Sequence, residues 1–172
     1  VSNFPLIAHG VSLSIGSLND DLSKNFLTSM KIFLDKYNIK HYSEHFSFSH
    51  LNGKQSYELL PISLTKQSMN KILDNIDYIQ NFLQRNISLE NATYYHQIEA
   101  TIDECEFINE VCNKSSASLL LDVNNVYVNS VNHNFSAKEY INKIDTENIS
   151  YYHVAGHLKE KNGLLIDTHG SK

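Results

Sequence analysis

The chain has 172 residues, 41% hydrophobic and 19% charged, with a formal net charge of -5. That content supports one substantial core and excludes a disordered tail, while the acidic balance argues against the broad basic face that nucleic-acid binding uses. No apolar run approaches the ~20 residues needed to cross a bilayer and no signal peptide is visible, so the sequence predicts a cytoplasmic protein with neither membrane nor nucleic acid as partner.

Pro5 to His9 reads as a strand, and Gly10 to Asn19 as a loop rich in Ser and Gly. From Asp20 to Tyr37, Leu22, Phe26, Leu27, Met30, Phe33 and Leu34 form a helical stripe, with Asn19 or Asp20 as its cap. Ile39 to Phe48 is the next strand and Ser49 to Pro61 a loop. Leu64 to Leu83 repeats the helical period through Met69, Ile72, Leu73, Ile76, Ile79 and Phe82, with Thr65 as cap. Asn86 to Asn91 is a short strand, Ile102 to Val111 a helix, and Ala117 to Val123 a buried strand. Asn124 to Phe135 reads as a long polar loop bearing aromatic residues. Ser136 to Ile144 is a helix whose Ser136 and Glu139 form a capping box. Ile149 to Val154 and Leu164 to Asp167 are the last strands. Strands joined by helices of this length pair in parallel. No repeat, low-complexity tract or linker divides the chain, so residues 1–172 read as a single domain.

Cys105 and Cys112 fall in one predicted helix, seven residues apart. That spacing separates them by two turns, roughly 10 Å, too far for a disulfide. They read as half-buried helix residues.

Six of the short apolar or β-branched runs end in a residue type that binds metals. Leu6-Ile7-Ala8 leads to His9, Tyr42-Ser43-Glu44 to His45, and Ile87-Ser88-Leu89 to Glu90. Leu119-Leu120-Leu121 leads to Asp122, Ile149-Ser150-Tyr151-Tyr152 to His153, and Leu164-Leu165-Ile166 to Asp167, with His169 two residues on. In a parallel barrel the C-terminal strand ends converge on one face, so these residues would meet in space as a multi-metal site. Asp167 and His169 share one side of an extended segment and make a two-pronged clamp. Glu44 points opposite to His45, which leaves His45 facing the mouth. Asn124 and Asn125 could ligate through oxygen or support the ligands, His157 reads as a substrate or supporting contact, and His133 as a pocket residue. His41 and His50 are weaker candidates, and His96 reads as a loop residue. Imidazole and carboxylate together admit Fe, Mn or Zn, and the absence of thiolates disfavours a structural zinc site. A complete (β/α)8 barrel takes about 250 residues, so this chain reads as part of one.

His-Gly-Val-Ser-Leu-Ser (9–14), Ser-Glu-His-Phe-Ser (43–47), Leu-Leu-Pro (59–61), Ser-Leu-Glu-Asn (88–91), Leu-Leu-Leu-Asp-Val-Asn-Asn-Val-Tyr-Val (119–128), Val-Asn-His (131–133), His-Val-Ala-Gly-His (153–157) and Ile-Asp-Thr-His-Gly (166–170) occur in that order. Together they resemble the bacterial TIM-barrel family, long of unknown function, that includes MbnB and TglH. The resemblance spans the chain and implies an α/β fold, a xylose-isomerase-like (β/α)8 TIM barrel. It also implies that this member is incomplete, lacking the first strand and the closing strands, which carry a further acidic ligand. It implies two or three iron ions and an O2-dependent oxidase that remodels cysteine in a ribosomally made peptide. The implied partners are a small Cys-containing precursor peptide and a protein that presents it. His9, His45, Glu90, Asp122, His153, Asp167 and His169 are the ligands the resemblance carries over. Two other readings stand beside this one. One is a metal-dependent phosphodiesterase like endonuclease IV, and the other an inactive truncated member.

Overall fold

The computed structural model describes residues 4–17, 24–51, 54–96 and 98–171. Strand β1 (Ile7–Gly10) leads through helix α1 (Lys24–Lys36) to β2 (His41–His45). A hairpin of β3 (Phe48–Leu51) and β4 (Lys54–Leu60) precedes α2 (Lys66–Leu83) and β5 (Ser88–Glu90). Helix α3 (Glu104–Ser115), β6 (Ser118–Asp122), α4 (Val123–His133) and α5 (Ala137–Lys143) follow. A 3-10 turn at Thr146–Asn148 enters β7 (Ile149–His153), and β8 (Gly156–Lys159) and β9 (Leu165–Gly170) complete the order.

The predicted helix periods hold where apolar stripes are long. Met69, Ile72, Ile76, Ile79 and Leu83 form one buried stripe of α2, and Thr65 caps it by accepting from the Ser68 N–H. Ser136 caps α5 by accepting from the Glu139 N–H. On α1, Leu27 and Leu34 are buried, but Phe33 is 45% exposed, with its ring against that of Tyr37, so it leaves the stripe. The predicted cap at Asn19 or Asp20 and the stripe residue Leu22 lie outside the described residues. Cys105 and Cys112 are free and buried on α3.

Three predicted segments differ. Ser49 to Pro61 is not a loop, because β3 and β4 pair antiparallel through it. Asn124 to Phe135 is not a loop either: α4 occupies most of it, with buried asparagines whose hydrogen bonds to neighbouring segments outweigh weak helix propensity. Asn124, Asn125 and His133 are therefore helix residues. Leu164 to Asp167 is not a strand of the parallel sheet, since β9 pairs antiparallel with β8 in a separate hairpin. His157 sits on that β8 strand rather than in a loop.

The main sheet is wholly parallel, in the order β1-β2-β5-β6-β7. Laid flat, five strands would hold their edges about 19 Å apart. Instead the rings of His9 on β1 and His153 on β7 are 5.2 Å apart, and the Tyr151 hydroxyl on β7 lies 2.5 Å from Ser43 Oγ on β2. The sheet therefore curls into part of a barrel wall. Along each strand, alternate residues face opposite sides. Tyr42, Leu89, Leu119 and Leu121 face outward into the core with the helices. His9, Ser43, His45, Glu90 and Leu120 face the concave side. Helices α1, α2, α3 and α5 pack in that sequence around the outside, and α4 packs on α5 and on β9.

Two predictions follow from this packing. Ile76 is fully buried, so Ile76→Ala should cost about 3 kcal/mol in urea unfolding. Glu104, at the start of α3, receives the hydroxyls of Tyr94 and Tyr140. Burial, aided by neighbouring Asp103, pushes its carboxyl up to about 7. An acid raised in the folded state favours folding while protonated, so stability should fall as pH climbs from about 4.5 through 7, by roughly 3 kcal/mol. Glu104→Gln should flatten that slope in denaturation series between pH 5 and 8.

Candidate metal centre

Every strand of the parallel sheet delivers a predicted ligand at its C-terminal end. His9 is the third residue of β1, and His45, Glu90, Asp122 and His153 close β2, β5, β6 and β7. Parallel direction puts these ends on one rim. Register places His45 beside Glu90 and Asp122 beside His153. His169 arrives from outside the sheet, near the end of β9.

Glu90 is the centre of the group. His9 Nε2 lies 2.9 Å from its Oε2, His45 Nε2 3.5 Å from the same oxygen, and His153 Nδ1 3.1 Å from Oε1. Asp122 Oδ2 is 3.7 Å from His153 Nδ1 and 3.6 Å from His169 Nε2. Two donor sets result, each with its ligand atoms within 4.8 Å of one another: His9, His45 and Glu90, then Glu90, Asp122, His153 and His169. Nitrogen and oxygen donors sit about 2.1 Å from an ion such as zinc, so donors around one ion stand about 3–4 Å apart.

The buried polar atoms test whether a cation fits. Glu90 and Asp122 side chains have no exposed surface; Asp122 Oδ2 has no hydrogen-bond partner, and Glu90 Oε2 faces only imidazole nitrogens, His9 Nε2 at 2.9 Å and His45 Nε2 at 3.5 Å. The imidazoles facing them are committed elsewhere. His45 Nδ1 lies 3.1 Å from the Gly10 carbonyl, and His169 Nδ1 lies 2.9 Å from Asp167 Oδ1. Both partners only accept, so each Nδ1 carries a proton, and in the neutral ring each Nε2 then presents a lone pair to the site. That nitrogen faces a buried carboxylate oxygen, Glu90 Oε2 at 3.5 Å from His45 and Asp122 Oδ2 at 3.6 Å from His169, a pairing that a cation between them would bind together. Burial holds His45 below the usual imidazole range against the pull of Glu90, so a second proton is disfavoured there. Burial pushes Glu90 up, but His9, His45 and His153 outweigh it and hold the carboxyl at about 2. Burial raises Asp122. Two buried carboxylates and four imidazoles brought within ligand distance are a donor set that fits a divalent metal.

The supporting contacts fix these rings. His9 Nδ1 meets Ser43 Oγ at 2.7 Å, and Tyr151 donates toward the same hydroxyl group. Asp122 Oδ1 accepts from the Asn125 N–H and caps α4, which leaves Oδ2 for the site. Asn91 clips Asp122 on both backbone groups. Ser43, Tyr151 and Asn91 were not singled out in the sequence. The period-two spacing of Ser43 from His45 and of Tyr151 from His153 was the signal that could have found two of them.

Six of the seven predicted ligands meet in these two sets; Asp167 does not join them. Its Oδ1 accepts from His169 and from Asn124 Nδ2. His157 Nδ1 contacts Asn124 Oδ1 at 2.9 Å, which extends the chain of contacts by one more side chain. Asn125 turns away: it donates to the Asn91 carbonyl and accepts from Thr93. His133 stacks on Tyr94 and contacts the Tyr94 carbonyl at 2.9 Å, away from both sets. Glu44 faces the outer side of the sheet, where it accepts from the Tyr42 hydroxyl and from the N–H groups of Ser12 and Leu13. Gly10 makes room for it, because a Cβ there would stand 2.1 Å from Glu44 Oε1. Beside Asp167 a cavity of about 700 Å³ opens between the β3–β4 hairpin and the loop after β1, with Val11, Tyr57, Leu59 and Tyr95 in its walls.

A family model described as RiPP precursor modification enzyme MbnB/TglH/ChrH matches residues 1–172. A UPF0276 protein of Acinetobacter baylyi is 44% identical over 171 residues, 99% of this chain and 59% of its own length. A UPF0276 protein of Shewanella sediminis is 40% identical over 167 residues, 97% of this chain and 59% of its own. The chain thus spans under two thirds of these curated relatives. Among solved structures, a D-psicose 3-epimerase from Clostridium cellulolyticum H10, crystallised with D-tagatose, superposes with a TM-score of 0.55. It shares 13% identity over 86% of this chain and 51% of its own. A D-psicose 3-epimerase with D-fructose gives 0.56 at 10% identity, over 92% and 56% of the two chains. These likenesses show the fold, part of a TIM barrel.

Glu90 belongs to both donor sets, so Glu90→Gln should abolish metal-dependent stabilisation. A divalent ion at 100 times its Kd should add about 2.7 kcal/mol to the unaltered protein, seen as a rise in Tm that EDTA reverses. Equal stabilisation of the variant would disprove the assignment.

Proposed function

The chain belongs to the MbnB/TglH/ChrH family of RiPP precursor modification enzymes, and from that membership we propose that it is the metal-binding part of a multinuclear iron oxidase acting on a peptide cysteine. The observation that carries the metal reading is the convergence of four imidazoles on two buried carboxylates, in two donor sets whose ligand atoms lie within 4.8 Å of one another. Family membership supports iron and a ribosomally made peptide, while the ligand types themselves admit Mn or Zn equally.

In this reading His9, His45, Glu90, Asp122, His153 and His169 hold the ions, and Asp167 is either a further ligand or the anchor of His169. Glu90 Oε1 faces His153 and Oε2 faces His9 and His45, so one carboxylate joins the two donor sets into a cluster. Iron, when bound, supplies O2 binding and one-electron transfer, chemistry that side chains lack. The surrounding residues contribute fixed geometry. Ser43 and the Gly10 carbonyl hold the rings of His9 and His45, and the buried rim excludes water from Glu90 and Asp122. The cavity walled by Tyr57, Leu59 and Tyr95 admits an extended peptide segment and brings its cysteine to the rim. The thiol side chain is oxidised and O2 accepts the electrons. A Cys-containing precursor peptide is the substrate, a second protein presents it, and the setting is the cytoplasm. Among the described residues no helix is long and apolar enough to cross a membrane.

Anaerobic reconstitution with Fe(II) followed by elemental analysis should find about two ions per chain. A full-length version, given O2, the precursor peptide and its presenting partner, should then change the peptide mass only when iron is bound. Absence of bound Fe, Mn and Zn would sink the metal reading, and an unchanged peptide would sink the oxidase.

A further inference from the structure

We propose that Asn132 and Asn124 of α4 are positioning residues that seat the β8–β9 hairpin, and that the cation position served by His169 therefore fills in a second, separately controlled step. This rests on the metal-binding reading given above.

The two donor sets are built differently. His9, His45 and Glu90 stand on three adjacent strands, β1, β2 and β5. Their supporting contacts, Ser43 and the Gly10 carbonyl, lie on the same strands. That set is complete once the sheet has formed. The second set takes Glu90, Asp122 and His153 from the sheet but needs His169 from the hairpin. Among the described residues the hairpin makes no strand pairing with the parallel sheet. Beyond the two-residue link from β7 to β8, it is held through side chains of α4 and Tyr95.

Asn132 provides one seat. Its Nδ2 donates to the Leu165 carbonyl and its Oδ1 accepts from the Leu165 N–H, both at 2.9 Å. One amide group thereby replaces the strand neighbour that Leu165 lacks on that edge. Asn124, eight residues earlier on α4, provides the other. It donates to Asp167 Oδ1 at 2.9 Å while His157 of β8 contacts its Oδ1. The Tyr95 hydroxyl accepts from the Asp167 N–H at 3.0 Å. From Asp167 the constraint passes directly to His169, since Asp167 Oδ1 accepts from both its backbone N–H and its ring Nδ1. His169 needs that support: its φ of 47° lies in the left-handed region that side chains disfavour. Released from Asp167, the residue would relax and its ring would leave Asp122.

The test is an anaerobic Co(II) titration of the metal-free full chain, followed by visible absorption and elemental analysis. The unaltered protein should take up cobalt in two steps. Asn132→Ala should leave the first step within about twofold and weaken the second tenfold or more, matching His169→Ala. Asn132→Asp keeps the acceptor for the Leu165 N–H and loses the donor, so it should fall between. Asn124→Ala should weaken the second step alone, and it answers the question if Asn132→Ala fails to fold by circular dichroism. Two-step uptake that is unchanged in the asparagine variants, or weakened equally in both steps, overturns the positioning role and leaves the metal reading intact. No uptake by the unaltered protein overturns both.

Discussion

Glu90 is fully buried, and its carboxylate meets His9, His45 and His153 within 3.5 Å. A charge taken out of water in this way must be matched by positive charge or it destabilises the fold. The protein supplies no lysine or arginine at that rim among the described ion pairs, only imidazoles. Two imidazoles of the rim, His45 and His169, turn Nδ1 to a carbonyl and a carboxylate and Nε2 to the buried acids Glu90 and Asp122. The arrangement is compatible with a bound cation. The curled sheet, the parallel strand direction and the clip of Asn91 on Asp122 are the means by which these groups are focused on one rim.

The outer face of the same strands carries the burden of stability. Leu89, Leu119 and Leu121 alternate with the site residues and pack under α2, α3 and α5. This alternation lets one five-residue strand such as β6 be core on one side and chemistry on the other. Leu120, between two core leucines, belongs to the concave side and lies outside the helix-facing cluster. Glu44 shows the division most sharply: one residue before a site histidine, it turns outward and ties down the start of the loop that leaves β1.

Much of this was legible in the sequence because β-strands that end on a common face need their ligands at their ends. His9, His45, Glu90, Asp122 and His153 announced themselves in that way. The long stripes of α2 and the caps at Thr65 and Ser136 were equally readable. Helix α4 was not, because its sequence is rich in asparagine and β-branched valine, residues that favour other conformations. What makes it helical is tertiary: Asn125 and Asn129 bond the segment after β5, and Asn132 bonds β9. The hairpins were hidden for a related reason. Leu164-Leu165-Ile166-Asp167 has the apolar run of a barrel strand, and only the pairing of β9 with β8 distinguishes it. The proximity of His169 to Asp122 was thus anticipated for a different cause, a sixth parallel strand, from the one that produces it.

Asp122 divides its two oxygens between unlike neighbours. Oδ1 terminates a helix, accepting from the Asn125 N–H at 2.7 Å, and Oδ2 faces His153 and His169. The positive end of the α4 dipole therefore shares a carboxylate with the cluster. A cation at Oδ2 would draw on the same carboxylate that caps the helix, so binding at the rim and order in the first turn of α4 would each act on the other to the same degree.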